Sequence, residues 1–158
     1  MEHFTSVKSL VVLPNGDFAS GSEHQIVVWH KDENTGKWIT KRAMVDVTCL
    51  LVALPNGGLA SVSKRAASQK YDQIKIWNTN TGVCKKVLQV EEGIVDSIVV
   101  LQNGKLATTV ANASVSACGT ICIWDTDTGQ STEIRNATQR ARVRELVVAH
   151  WGAGLPLK

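Results

Sequence analysis

A phrase of two apolar runs joined by a tight turn occurs three times in this 158-residue chain. It reads VVLPNGDFASGS at 11–22, LVALPNGGLASVS at 51–63 and VVLQNGKLATTV at 99–110. Pro14 and Pro55 preset φ at the start of the turn, Asn15, Asn56 and Asn103 tolerate its centre, and Gly16, Gly57 and Gly104 supply a positive φ, so each phrase predicts a hairpin. The turn glycines lie 41 and then 47 residues apart.

Two further landmarks keep the same order. Each hairpin precedes an alternating segment ending in tryptophan, QIVVW to Trp29, QIKIW to Trp77 and TICIW to Trp124, and each Trp precedes a Thr-Gly pair, at 35–36, 81–82 and 128–129. A Val/Leu/Ile run also leads into each hairpin, from Val7, Val47 and Ile94. A period of 41 to 48 residues is the signature of stacked supersecondary units. Within each unit, β-branched residues alternate with period two and turn signals divide the unit into four strands. They are expected near 6–13, 17–22, 25–30 and 37–44; near 47–54, 58–63, 73–78 and 83–90; and near 95–101, 105–112, 120–125 and 130–135. A small meander with two apolar faces must stack on neighbours, and radial stacking of four-stranded sheets is a propeller. The expected fold is all-β, a partial β-propeller of three four-stranded antiparallel blades spanning about 6–44, 47–90 and 95–135, with an extra C-terminal strand at 143–149 and a divergent tail at 150–158.

A hydrophobic content of 44% fills a core, and a net charge of +3 from 17 basic and 14 acidic residues does not indicate a nucleic-acid or membrane surface. The N-terminus lacks the order of a signal peptide, and no apolar run approaches the roughly 20 residues needed to cross a bilayer. A cytoplasmic location is the expectation. Cys49, Cys84, Cys118 and Cys122 show no CxxC spacing and read as buried free thiols. No phosphate loop, HExxH or GxSxG is present, and the four histidines fall at unlike positions of the repeat, so neither a cofactor nor a shared metal site is expected.

LPNGDFASGSEHQIVVW, QIKIWNTNTGVCKKVL and GTICIWDTDTGQSTEI resemble WD-repeat units over about residues 3–149. Only Trp124-Asp125 keeps the dipeptide for which the family is named; His30 follows Trp29 and Asn78 follows Trp77. The family joins a His ahead of the first strand to a buried Ser, Trp and Asp network. The resemblance therefore implies a partial version in the first blade, from His3, Ser20 or Ser22, and Trp29, with the second and third blades held more by packing. Trp29, Trp77 and Trp124 are expected to bury their rings between blades.

Closed propellers have 4–8 blades, so both outer blades expose an apolar face that requires cover. VRELVVAH from Val143 echoes VKSLVVLP from Val7 as if a fourth blade began, after which the pattern stops. Closure by a second copy or by a partner's blades is the expectation. A truncated, non-functional fragment of a longer WD-repeat protein is the alternative.

The resemblance implies a protein-interaction scaffold that binds through loops on one face. That face is lengthened here, since Ala60 to Trp77 and Ala107 to Trp124 each span 17 positions against 10 for Ala19 to Trp29. The candidate partner contacts are Lys64, Arg65, Lys70 and Tyr71, with Asp46, Asp96 and Arg142 nearby on the same rim. Two other readings compete: an enzyme, for which the pair Asp125 and Asp127 on one turn reads better as turn stabilisation, and a carbohydrate-binding propeller, which would use the repeated tryptophans.

Overall fold

In the computed structural model, residues 3–64, 71–91, 93–111 and 120–134 are described. They form three four-stranded antiparallel meanders. Blade 1 contains β1 (Val7–Val12), β2 (Phe18–Ser22), β3 (Gln25–Lys31) and β4 (Trp38–Val45). Blade 2 contains β5 (Thr48–Ala53), β6 (Leu59–Ser63), β7 (Gln73–Trp77) and β8 (Cys84–Gln89). Blade 3 contains β9 (Ile94–Val100), β10 (Leu106–Ala111), β11 (Thr120–Trp124) and β12 (Ser131–Ile134). All twelve strands fall where the repeat pattern puts them; the strand expected at 143–149 lies outside the described residues.

The Asn-Gly hairpins form by one mechanism three times. Gly16, Gly57 and Gly104 take φ of 85°, 80° and 78° and donate their amides to the carbonyls of Leu13, Leu54 and Leu101 at 2.9–3.0 Å. Asn15, Asn56 and Asn103 each accept the amide two residues on, at 3.0–3.2 Å. A second repeated turn connects the third and fourth strands. Asp32, Asn78 and Asp125 accept the amides of Asn34, Asn80 and Asp127, and Gly36, Gly82 and Gly129 close the turn at positive φ. The absent Trp-Asp dipeptide at Trp29 is thereby explained: β3 runs two residues past Trp29, and Asp32 performs in the first blade what Asp125 performs directly after Trp124.

The blades stack through equivalent faces. The trailing side of blade 1, with Leu13, Ala19, Ile26, Val28 and Met44, packs on the leading side of blade 2, with Leu51, Leu59 and Trp77. One repeat later, Leu54, Ala60, Ile74, Ile76 and Leu88 of blade 2 pack on Ile98, Leu106 and Trp124 of blade 3. Counting from the hairpin turns, Leu10 in blade 1 corresponds to Leu51 and Ile98. Leu10 is 67% exposed, whereas those two are 6% and 7% exposed, because no described blade precedes the first.

Candidate interaction surface

Each tryptophan lies across its sheet from the residue that opens the second strand: Trp29 from Phe18, Trp77 from Leu59 and Trp124 from Leu106. This register brings each indole N–H to a hydroxyl on the second strand, Ser20 at 2.8 Å, Ser61 at 2.9 Å and Thr108 at 2.9 Å. Buried indoles need such a partner. The hydroxyl in turn requires an acceptor, and the blades solve that differently.

In blade 1 the acceptor is His3. Ser22 donates to the Gln25 carbonyl at 3.1 Å, so its oxygen receives the proton on His3 Nδ1 at 3.0 Å. Ser20 receives the Trp29 N–H and gives its own proton to His3 Nε2 at 2.6 Å. Only the neutral Nδ1–H imidazole satisfies every group in this chain. Burial pushes the His3 pKa down, which favours that neutral form.

Blade 2 corrects the expectation that it is held more by packing than by a polar network. Asp46, 4% exposed, takes the place of the histidine. Its carboxylate accepts Ser61 Oγ at 2.9 Å, Ser63 Oγ at 2.7 Å and Lys75 Nζ at 2.6 Å. A carboxylate is an acceptor on both oxygens, so two hydroxyls and an ammonium fit it without competition. Asp46 is therefore an interior group, not the rim contact that its place between blades suggested. In blade 3 Val110 stands where Ser22 and Ser63 stand in the others, and Gly93 abuts it: a Cβ on Gly93 would come within 2.8 Å of Val110 Cγ1. Among the described residues, blade 3 keeps the Trp124–Thr108 bond and has an apolar contact in place of the second hydroxyl. The legible signal was the trio Ser20, Ser61 and Thr108, a hydroxyl at one repeat position in all three units.

The other rim candidates separate as follows. Lys64 is partly exposed but its ammonium bridges Asp72 Oδ2 and the Val95 carbonyl, both at 3.2 Å, joining blade 2 to the start of β9. Asp72 Oδ2 also accepts the Val95 amide at 3.0 Å. Tyr71 is half-buried and Asp96 is exposed. Arg65, Lys70 and Arg142 lie outside the described residues. The sequence reading missed Asp72, whose 1% exposure makes it a fixed anion between blades.

A third buried acid, Asp17, sits beneath the first hairpin and accepts His30 Nδ1 at 2.7 Å, Lys41 Nζ at 2.8 Å and Asn15 Nδ2 at 2.9 Å. Burial raises its pKa, but the hydrogen bonds from Lys41, His30 and Asn15 prevail and hold it below the usual carboxylate value. On the exposed turn of blade 3, the Thr128 amide is the foremost cause that lowers Asp125 to about 2. That carboxylate is therefore tied into its turn. Among the described residues no group of three or more His, Cys, Asp or Glu is arranged to hold a metal ion. Cys84 is half-buried and Cys122 is buried, both as thiols outside any disulfide.

The most distinctive surface is the leading face of blade 1. Phe18 stacks on Trp29, with centroids 5.9 Å apart and planes 14° apart, and meets Trp38 edge-on at 4.9 Å. A groove of about 400 Å³ runs beside them, lined by Leu10, Val11, Val12, Gly16, Phe18 and Trp38. Composition could not reveal it, because aromatics are only 5% of the chain and three of them converge here.

Three radially repeated meanders joined through equivalent faces define a segment of a β-propeller. No protein-family model and no curated protein matches the chain. Among solved structures it is similar to the WD40 β-propeller domain of Doa1, at TM-score 0.61 and 22% identity over 87% of this chain and 43% of that one. It is also similar to the Dos1 propeller, at TM-score 0.64 and 8% identity over 84% of this chain and 38% of that one. The fold is that of the WD40 propellers, in agreement with the WD-repeat resemblance, and the chain spans less than half the length of each of these propellers.

Proposed function

We propose that the chain is a non-catalytic protein-interaction scaffold, a rigid three-blade segment that presents partner contacts along one rim and through its open blade faces. The observation that carries this reading is the leading face of blade 1, where Leu10, Val12 and Trp38 are 67%, 73% and 48% exposed in one apolar surface. Soluble proteins seldom leave such a patch uncovered, and large exposed patches mark sites of association. The WD40 fold supports it as well, since a radial stack holds its loops on a stiff frame that tolerates their variation. Tyr71 and Asp96 are the rim side chains that this reading assigns to a partner, with Arg65, Lys70 and Arg142 joining them; Lys64 orders the rim through Asp72. The protein works in the cytoplasm in this reading, where Cys84 and Cys122 stay reduced.

Burial of Trp77 and Trp124, at 6% and 4% exposure with both N–H groups engaged, leaves neither ring open to stack on a sugar. Of the paired acids, the Asp125 carboxylate is tied into the turn, where it accepts the backbone amide of Asp127 at 3.0 Å. The test is selection of peptides from a displayed library on the folded chain. Selected peptides should lose binding at least about tenfold on Asp96→Arg or Tyr71→Ala while the thermal midpoint holds. Peptides indifferent to both substitutions would defeat the assignment of this rim.

A further inference from the structure

The two seams between described blades carry the same outer clasp. Arg42 on β4 donates to the Asn80 carbonyl in the turn of blade 2 at 2.9 Å. One repeat later, Lys86 on β8 donates to the Asp127 carbonyl in the turn of blade 3. Both cations pair across the sheet with the residue just before the blade's tryptophan, Arg42 with Val28 and Lys86 with Ile76. Both acceptors are the third residue of the Asx turn. A seam in this molecule thus has two halves. The donating half is an aliphatic trailing face with a basic residue on its outer strand; the receiving half is an apolar leading face with a turn carbonyl at its outer edge.

Among the described residues, blade 1 presents a receiving half with no donor. Its leading face holds Leu10, Val12, Phe18, Trp29 and Trp38, and Asn34 occupies the turn position that Asn80 and Asp127 occupy in the other blades. This turn is also more acidic than that of blade 2, with Asp32 and Glu33 where blade 2 has Asn78 and Thr79. Hydrogen bonds, first from the Asn34 amide and then from Thr35 Oγ1, lower the Asp32 pKa and keep it charged. The edge therefore favours a cation more strongly than the blade 2 turn does, and matches the blade 3 turn, where Asp125 and Asp127 flank the clasp.

Among the described residues, blade 3 of a second copy does not supply one. In blade 3 the residue paired with Ile123, just before Trp124, is Thr132, and Glu133 follows it. Docked in register, that strand would present the uncharged Thr132 to Asp32 and Glu33. Blade 3 does offer the aliphatic part, Val99, Ile121 and Ile123, so what it lacks is the charge.

We propose that the leading face of blade 1 docks a partner's β-sheet, one with an aliphatic face and a lysine or arginine on its outer strand that reaches the Asn34 carbonyl and the Asp32 and Glu33 acids. The proposal rests on the scaffold reading but concerns a blade seam, not the loop rim. Thr132→Arg turns the chain into its own stand-in partner by giving blade 3 the missing cation. In sedimentation equilibrium the variant should self-associate about fivefold more tightly than the unaltered chain, with the gain weakening as salt rises. Leu10→Asp, at a site exposed enough to tolerate charge, should abolish that gain with circular dichroism unchanged. The proposal is overturned if Thr132→Arg brings no gain, if the gain survives Leu10→Asp, or if the unaltered chain already associates as tightly, which would make a second copy the occupant. Peptide binding at Tyr71 and Asp96, measured on the same variants, reports on the rim separately.

Discussion

Asp46→Ala isolates the network that sequence reasoning misjudged. The substitution strands three donors at once: the hydroxyls of Ser61 and Ser63, 0% and 5% exposed, and the Lys75 ammonium. An unsatisfied buried hydroxyl costs about 1–3 kcal/mol, and removing one partner of a buried ion pair costs about 3–5 kcal/mol. These costs overlap, because Lys75, with its side chain 24% exposed, can turn toward water. A net loss of about 4 kcal/mol is expected. Lys75→Met alone leaves Asp46 with its two hydroxyl donors and should cost about 2 kcal/mol. In the double variant the stranded ammonium is gone, so the loss should fall about 1–2 kcal/mol short of the sum of the two singles. Urea unfolding followed by tryptophan fluorescence measures all four corners of the cycle, and Trp77, hydrogen-bonded to Ser61, reports locally. Strict additivity, or a loss below about 1 kcal/mol for Asp46→Ala, would refute the view that this carboxylate replaces the histidine of blade 1.

Other outcomes follow from the same geometry. The His3 pKa is lowered on folding, so in the window below 6.5 the unfolded chain binds the extra proton; stability should be full above that value and decline as pH falls below it, and His3→Gln should flatten the profile. Asp125 should titrate near pH 2 in carboxyl NMR; because its folded pKa is depressed, its contribution is present above the unfolded value of 3.8 and fades as pH drops toward 2, and a midpoint near 4 would contradict the turn geometry. Gly93→Ala should unfold the chain far more readily than Gly16→Ala. Both glycines have positive φ, but a Cβ at Gly93 lies 2.4 Å from the Ala111 carbonyl oxygen, while one at Gly16 meets nothing within 4 Å. Differential scanning calorimetry should show about 1 kcal/mol for Gly16→Ala and at least about 3 kcal/mol for Gly93→Ala.

The linear sequence determined the periodic part of this protein. Hairpin chemistry and strand alternation are local, so Gly16, Gly57 and Gly104, and strands ending at Trp77 and Trp124, can be placed without knowing any long-range neighbour. Tertiary structure decided what non-local geometry decides. Asp46 and His3 stand at different distances ahead of their strands, two residues before β5 and four before β1, yet both reach the paired hydroxyls on the second strand of their blade. No fixed spacing in the chain announces that equivalence. Likewise Phe18, Trp29 and Trp38 are scattered along 21 positions, and Arg42 reaches a turn 38 residues ahead. Only the stacking of sheets makes one group a surface and the other a clasp, because both depend on which face of a blade its neighbour covers.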